Sequence, residues 1–216
     1  KIILQDLMFY SLLGIIIGGR IGYVVLYNTS IIWNSPLDII KVWQGGMSFH
    51  GGFLGVCFAV YYTKLKYKCN LWRLSDLVAI GAPIGLFAVR FLGNFLNQEL
   101  YGRVTDMPWA IIFSTDPNLL PRHPSQLYEA FFEGIVIFIF LRFIMFKFKA
   151  LMRPGLCTGF FIFLYGCFRF LVEFFREPDN IQQFGIITRG MGYSIPMIVI
   201  GALIIYKVIS KPINND

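Results

Sequence analysis

Six runs of apolar residues dominate the chain, near 7–27, 47–63, 77–97, 128–146, 155–175 and 192–209, separated by shorter polar stretches. Each is about as long as the roughly 20 residues a helix needs to cross some 30 Å of hydrocarbon. The pattern predicts an all-α integral membrane protein, a bundle of about six transmembrane helices forming a single polytopic domain over residues 1–216. The longest connection, 98–127, carries the turn signals Asp106-Met-Pro108 and Asp116-Pro117-Asn118 and is expected to form a small outward-facing cap. Ser75-Asp76 is expected to cap the third span, which Pro83 and Gly85 should kink. Pro124 suits the first turn of the fourth, with His123 or Ser125 as its cap.

Composition agrees: 56% of the 216 residues are hydrophobic and 23 are Phe, far from the balance of a soluble domain. The net charge of +7 would suit a nucleic acid, but its placement argues otherwise. Ten of the 19 Lys and Arg (Lys1, Lys64, Lys66, Lys68, Arg73, Lys147, Lys149, Arg153, Lys207 and Lys211) fall on one side of the spans, and five (Lys41, Arg103, Arg122, Arg176 and Arg189) on the other. Cations favour the cytoplasmic side, so the loops near 28–46, 98–127 and 176–191 face outward. Cys57, Cys69, Cys157 and Cys167 show no paired spacing and read as packing residues. With Lys at position 1 and no basic region before the first span, no cleaved signal peptide is expected.

Polar residues inside these spans carry the functional signal, because an ionisable group at membrane depth costs on the order of 3 kcal/mol and is usually retained for a site. In the first span, Gly14, Gly18 and Gly22 allow close helix contact, and Arg20 lies near the outer end, where it can snorkel. His50 stands between two glycine pairs at the start of the second. In the third, Arg90, Asn94 and Asn97 follow at i, i+4 and i+7 and share one helical face. Glu129 and Glu133 open the fourth four residues apart, where they either repel each other or pair with loop arginines. The fifth ends in an alternating ladder, Arg169, Glu173 and Arg176. The predicted topology puts all of these in the outer half of the membrane. A pocket of guanidinium groups walled by Phe would take a phosphate on a greasy molecule, with His50 as the base in reach.

Five motifs in one order, Gly18-Gly-Arg-Ile-Gly-Tyr23, Gly45-Gly-Met-Ser-Phe-His-Gly-Gly52, Gly93-Asn-Phe-Leu-Asn-Gln-Glu-Leu-Tyr-Gly-Arg103, Arg122-His-Pro-Ser-Gln-Leu-Tyr-Glu129 and Phe168-Arg-Phe-Leu-Val-Glu-Phe-Phe-Arg-Glu-Pro-Asp179, cover nearly the whole chain. Together they resemble the bacterial prolipoprotein diacylglyceryl transferase family. The resemblance implies transfer of the diacylglyceryl group of phosphatidylglycerol to the lipobox cysteine of a preprolipoprotein, with release of glycerol phosphate. It implies an inner-membrane enzyme with its active side outward and no metal or cofactor. His50 matches the family's critical histidine and would activate the thiol. Arg90 and Arg169 would stabilise the departing phosphate, and Glu173 would orient Arg169. Asn94, Glu99 and Gly102 match further motif positions, and Asn97, Arg103, Arg20, His123, Glu129 and Arg176 complete the candidate substrate contacts.

The family pattern has one residue fewer between Arg90 and Asn94, and a small residue where Gln98 stands. On a regular helix the extra residue turns Arg90 by about 100°, unless a bulge absorbs it. A seventh, N-terminal span with a functional tyrosine, which members carry, is expected to be missing from this chain. The alternative reading is an anion channel or transporter lined by intramembrane arginines.

Overall fold

The computed structural model describes residues 1–177 and 188–210, without the side chain of Arg189. Pro178 and Asp179 of the last motif, most of the expected outer loop 176–191, and Lys211 lie outside the described residues. The chain packs as two compact units, Lys1–Leu74 and Ser75–Asp216.

In the first unit, α1 (Ile2–Leu26) packs along α3 (Phe49–Tyr67). The contact is made by backbone: a Cβ placed on Gly22 would lie 2.8 Å from Gly51 Cα, and those of Gly14 and Gly18 would strike the carbonyls of Gly55 and Gly51. The predicted small-residue stripe therefore brings the two main chains into van der Waals contact. One end of the pair is held by Asp6, which accepts from Lys66 Nζ at 2.6 Å and the Tyr67 hydroxyl at 2.7 Å. At the other end Ser48 N donates to Gly19 O at 2.8 Å and Ser48 Oγ caps α3. The connection between them holds α2 (Ser30–Asn34) and two 3-10 turns, Pro36–Ile40 and Val42–Gln44.

The second unit contains most of α4 (Leu71–Ala88), which runs on into a π-helical turn, Val89–Phe95. The expected cap is misplaced. Asn70 caps α4, its Oδ1 accepting from Trp72 N at 2.8 Å, because the helix starts four residues before Ser75. Asp76 is instead fully buried and caps another helix, accepting from Gly155 N at 2.7 Å and from Thr158 N and Oγ1 at 2.8 and 2.7 Å. That helix is α7 (Leu156–Val172).

After the cap segment, whose strands β1 (Ile111–Ile112) and β2 (Pro121–Arg122) pair antiparallel, α5 (Ser125–Glu129) passes through a second π turn, Ala130–Val136, into α6 (Ile137–Lys147). Pro124 stands at the cap of α5 with no side chain capping it; Ser125 Oγ donates to Leu100 O at 3.1 Å instead. Ile137, Leu141 and Ile144 on α6 pack with Leu156 and Cys157 on α7 to form the core. α8 (Arg189–Ile209) lies along α7, with Gly201 against the Phe163 backbone.

Among the described residues the six expected spans correspond to six long helical runs, two of them continued through π turns. Ile2–Leu26, Leu71–Phe95 and Gly190–Ile209 are long and apolar enough to cross a membrane by length and composition. Leu54, Phe58 and Leu203 are each more than 60% exposed, as expected where lipid takes the place of a protein partner.

Candidate active site

In the second unit Arg90, Arg169, Arg176, Glu133 and Glu173 form one network centred on Glu129. This carboxylate is completely buried and lies within 3.2 Å of Arg90 Nη1 and 3.2 Å of Arg176 Nη1, with Arg169 Nη1 closer still. Oε1 accepts hydrogen bonds from Arg169 and Arg176, while Arg90 meets Oε2 as an ion pair without hydrogen-bond geometry. Of the two sequence readings of Glu129, pairing is what the structure has. Its partners are one outer arginine, Arg176, and two from the spans; Arg103 and Arg122 go elsewhere.

Arg169 also meets Glu173 one turn on, at 2.9 Å, as the i, i+4 ladder predicts. Glu173 in turn lies against the first turn of α8, where a Cβ on Gly190 would fall 2.6 Å from its Oε1. Glu133 is wholly buried 3.8 Å from Arg90 Nε, and among the described residues neither of its oxygens has a hydrogen-bond partner. Arg90, Arg169 and Arg176 thus face Glu129, Glu133 and Glu173, three guanidinium groups to three carboxylates. The cation excess expected from the Arg169 ladder alone is cancelled by carboxylates from α5 and the π turn that follows it.

The π turn explains how Arg90 reaches this network. Leu96 N donates to Phe91 O and Glu99 N to Asn94 O, both i to i+5, so the helix widens into a bulge just after Arg90. Arg90 Nη1 donates to Asn94 Oδ1 at 3.3 Å. Asn97, expected on the same face, lies beyond the π turn and is exposed. Exposed Glu99 contributes its backbone, whose carbonyl accepts from buried Gln126 Nε2 at 2.6 Å.

The cap is a small sheet laid on the end of α7. Gly102 N donates to His123 O at 2.8 Å, Arg103 N to Phe175 O at 2.9 Å and His123 N to Arg103 O at 3.0 Å. Gly102 is glycine for steric reasons: a Cβ there would lie 2.7 Å from His123 O and nearer still to Phe175 O. Arg103 Nε donates to Arg176 O at 3.0 Å. Arg122 is held by Asp116 at 2.5 Å and Glu177 at 2.9 Å, and the guanidinium keeps the Asp116 carboxyl below its ordinary range. His123 packs edge-on to Tyr128 and Phe175, with Nδ1 3.1 Å from the Tyr128 hydroxyl, and burial pushes its pKa down. Gln98 Oε1 accepts from Ser114 N and Oγ at 2.6 and 2.7 Å, tying the end of the π turn to the cap.

The first unit holds Arg20 and His50. Arg20 does not snorkel: it is 5% exposed and donates to the carbonyls of Asp38 (2.5 Å), Ile39 (2.9 Å), Gly45 (2.5 Å) and Gly46 (3.1 Å), pinning the outer connection onto α1. Gly46, at φ +76°, packs its Cα on the Tyr23 ring, which itself lies beneath Arg20. His50 is exposed in the first turn of α3, its ring edge-on to Phe49. Residue-type reasoning missed Gln126, Asp116 and Tyr165, the last lying beside Arg90 and Glu133. Gln126 was within reach, since it stands inside the fourth motif.

Apolar helices around a buried guanidinium–carboxylate network define a multi-pass membrane protein with a polar site inside its helices. The family model for prolipoprotein diacylglyceryl transferase matches residues 2–207. Proteins named phosphatidylglycerol–prolipoprotein diacylglyceryl transferase are similar along 94% of the chain: 46% identical in Bartonella bacilliformis, covering 73% of that protein, and 49% and 50% in Rickettsia felis and Rickettsia canadensis, covering 78% of each. The chain belongs to the prolipoprotein diacylglyceryl transferase family, whose members are membrane transferases.

Proposed function

We propose that this chain transfers the diacylglyceryl group of phosphatidylglycerol to the lipobox cysteine of preprolipoproteins at the bacterial inner membrane, with its polar helix ends and the 98–127 cap facing outward and the basic loops cytoplasmic. One observation carries the reading: three guanidinium groups gathered inside apolar helices, in a chain 46–50% identical to proteins of that name.

The cysteine thiol gives its proton to His50, and the thiolate attacks the glycerol carbon that bears the phosphate ester. A C–S bond forms as the C–O bond breaks, and glycerol phosphate leaves with the electron pair. A free thiol has a pKa near 8.5, so a neutral imidazole is a competent acceptor. Charge grows on the departing oxygen, and preplaced guanidinium groups stabilise it more than they stabilise the diester. Arg169 and Arg90 fill that role, Glu173 holds Arg169 in orientation, and Asn94 holds Arg90. Arg20 shapes the outer connection of the first unit, and Gly102, Arg103 and His123 shape the cap of the second.

The test is a purified preparation in phosphatidylglycerol vesicles, given a lipobox peptide and followed by mass spectrometry. Thioether-linked diacylglycerol should appear, fall by about a hundredfold or more in His50→Ala, as expected for loss of a general base, and vanish in Arg169→Ala protein that still elutes as a folded species. Phosphate flux without thioether, the behaviour of an anion channel, would overturn the reading.

A further inference from the structure

An anion site should carry spare positive charge, yet among the described residues the three arginines around Glu129 are matched by three carboxylates. Glu129 is completely buried, reached by all three guanidinium groups, and leaves neither Arg169 nor Arg90 committed to it alone. Arg169 also meets Glu173, Arg90 also meets Asn94 and approaches Glu133, and Arg176 is the third. A carboxylate so placed makes the contacts that a phosphate oxygen would make, with the same preference for paired guanidinium donors.

We propose that Glu129 is a resident anion that competes with the lipid phosphate for these arginines. Binding is then an exchange, in which Arg169 and Arg90, each about 15% exposed at the side chain, turn from Glu129 toward the phosphate while more deeply buried Arg176 stays with the carboxylate. Glu133, whose oxygens have no hydrogen-bond partner among the described residues, leaves Arg90 an ion-pair partner throughout the exchange. When the ester bond breaks, the leaving phosphate gains charge and would bind tightly to bare guanidinium groups. Return of the arginines to Glu129 expels it. Glu129 is therefore a positioning residue that holds the arginines together and limits product affinity, without touching the reacting atoms.

This deepens the transferase reading and rests on it for the identity of the anion, so its test uses glycerol phosphate as probe and turnover as a second readout. In Glu129→Gln, glycerol phosphate should inhibit at about one-tenth of the wild-type concentration or less, the scale of one charge-assisted hydrogen bond no longer competed for. The KM for phosphatidylglycerol should fall with it, while kcat drops at least about tenfold as release becomes slow. A carboxylate that only holds the fold would instead raise KM and weaken inhibition. Glu129→Asp keeps the charge on a shorter stem and should move in the same direction by less; if Glu129→Gln does not fold, this variant decides. Inhibition unchanged or weakened in a folded variant overturns the exchange. Protein that transfers no lipid yet binds glycerol phosphate more tightly as Glu129→Gln would overturn the transferase reading and leave the exchange standing.

Discussion

Replacing Asp76 by Ala removes the only side-chain cap that the structure shows at the start of α7 among the described residues. The carboxylate accepts from Gly155 N, Thr158 N and Thr158 Oγ1, all at 2.7–2.8 Å, in a fully buried position. Alanine leaves two backbone N–H groups at the helix end without an acceptor, each costing about 1–3 kcal/mol. With relaxation rescuing part of the loss, the expected destabilisation is about 2–5 kcal/mol, or roughly 5–20 °C in melting temperature for a chain of this size. Thr158→Val, which removes only the hydroxyl, should cost about 1 kcal/mol. Cys157 is completely buried beside these groups and serves as a local reporter once Cys57, Cys69 and Cys167 are changed to serine. Thiol labelling of Cys157 requires that first turn to open, so Asp76→Ala should speed it by roughly 30-fold or more, at tenfold per 1.4 kcal/mol. Melting and labelling indistinguishable from wild type would refute the capping argument.

Gly102→Ala puts a methyl group against the carbonyls of His123 and Phe175, and should detach the cap from the end of α7, abolishing lipid transfer while α-helical circular dichroism stays within a few per cent of wild type. Asp116 offers a pH test. Its folded pKa lies below the ordinary value of 3.8 because Arg122 favours the carboxylate. The pair's contribution is therefore complete above the unfolded value and is lost as pH falls through the folded one. Limited proteolysis within 98–124 should stay slow from neutrality down into the carboxylate range and rise only in stronger acid. Asp116→Asn should be cleaved at neutral pH as fast as the wild type is in acid.

The helices were legible because hydrocarbon demands long apolar runs, and the glycine stripes were legible because only glycine permits such close approach. Arg169 and Glu173 were read correctly as a pair because both lie on one helix, four residues apart. What the sequence hid were contacts between helices. Nothing local marks Asp76 as the cap of a helix some 80 residues on, or ties Glu129 to Arg90 on another helix. The partners of Arg20 were hidden for a related reason: its acceptors are loop carbonyls, which any residue type supplies. The two-residue strands of the cap were too short for alternation to reveal, and were set by pairing around Gly102 and Arg122.

The π turn at Val89–Phe95 has a consequence for how such a chain tolerates change in length. Insertions are ordinarily confined to surface connections, since an added residue within a rod-like segment swings everything beyond it around the axis. Here one wide coil lies between Arg90, which meets its carboxylates on one side, and Glu99, which joins the cap on the other, so a change of one residue can be taken up within the coil. Removing Leu92 should tighten that coil to the ordinary pitch with both ends undisturbed, making this stretch a splice point where the gene can gain or lose a codon without re-aiming the groups on either side.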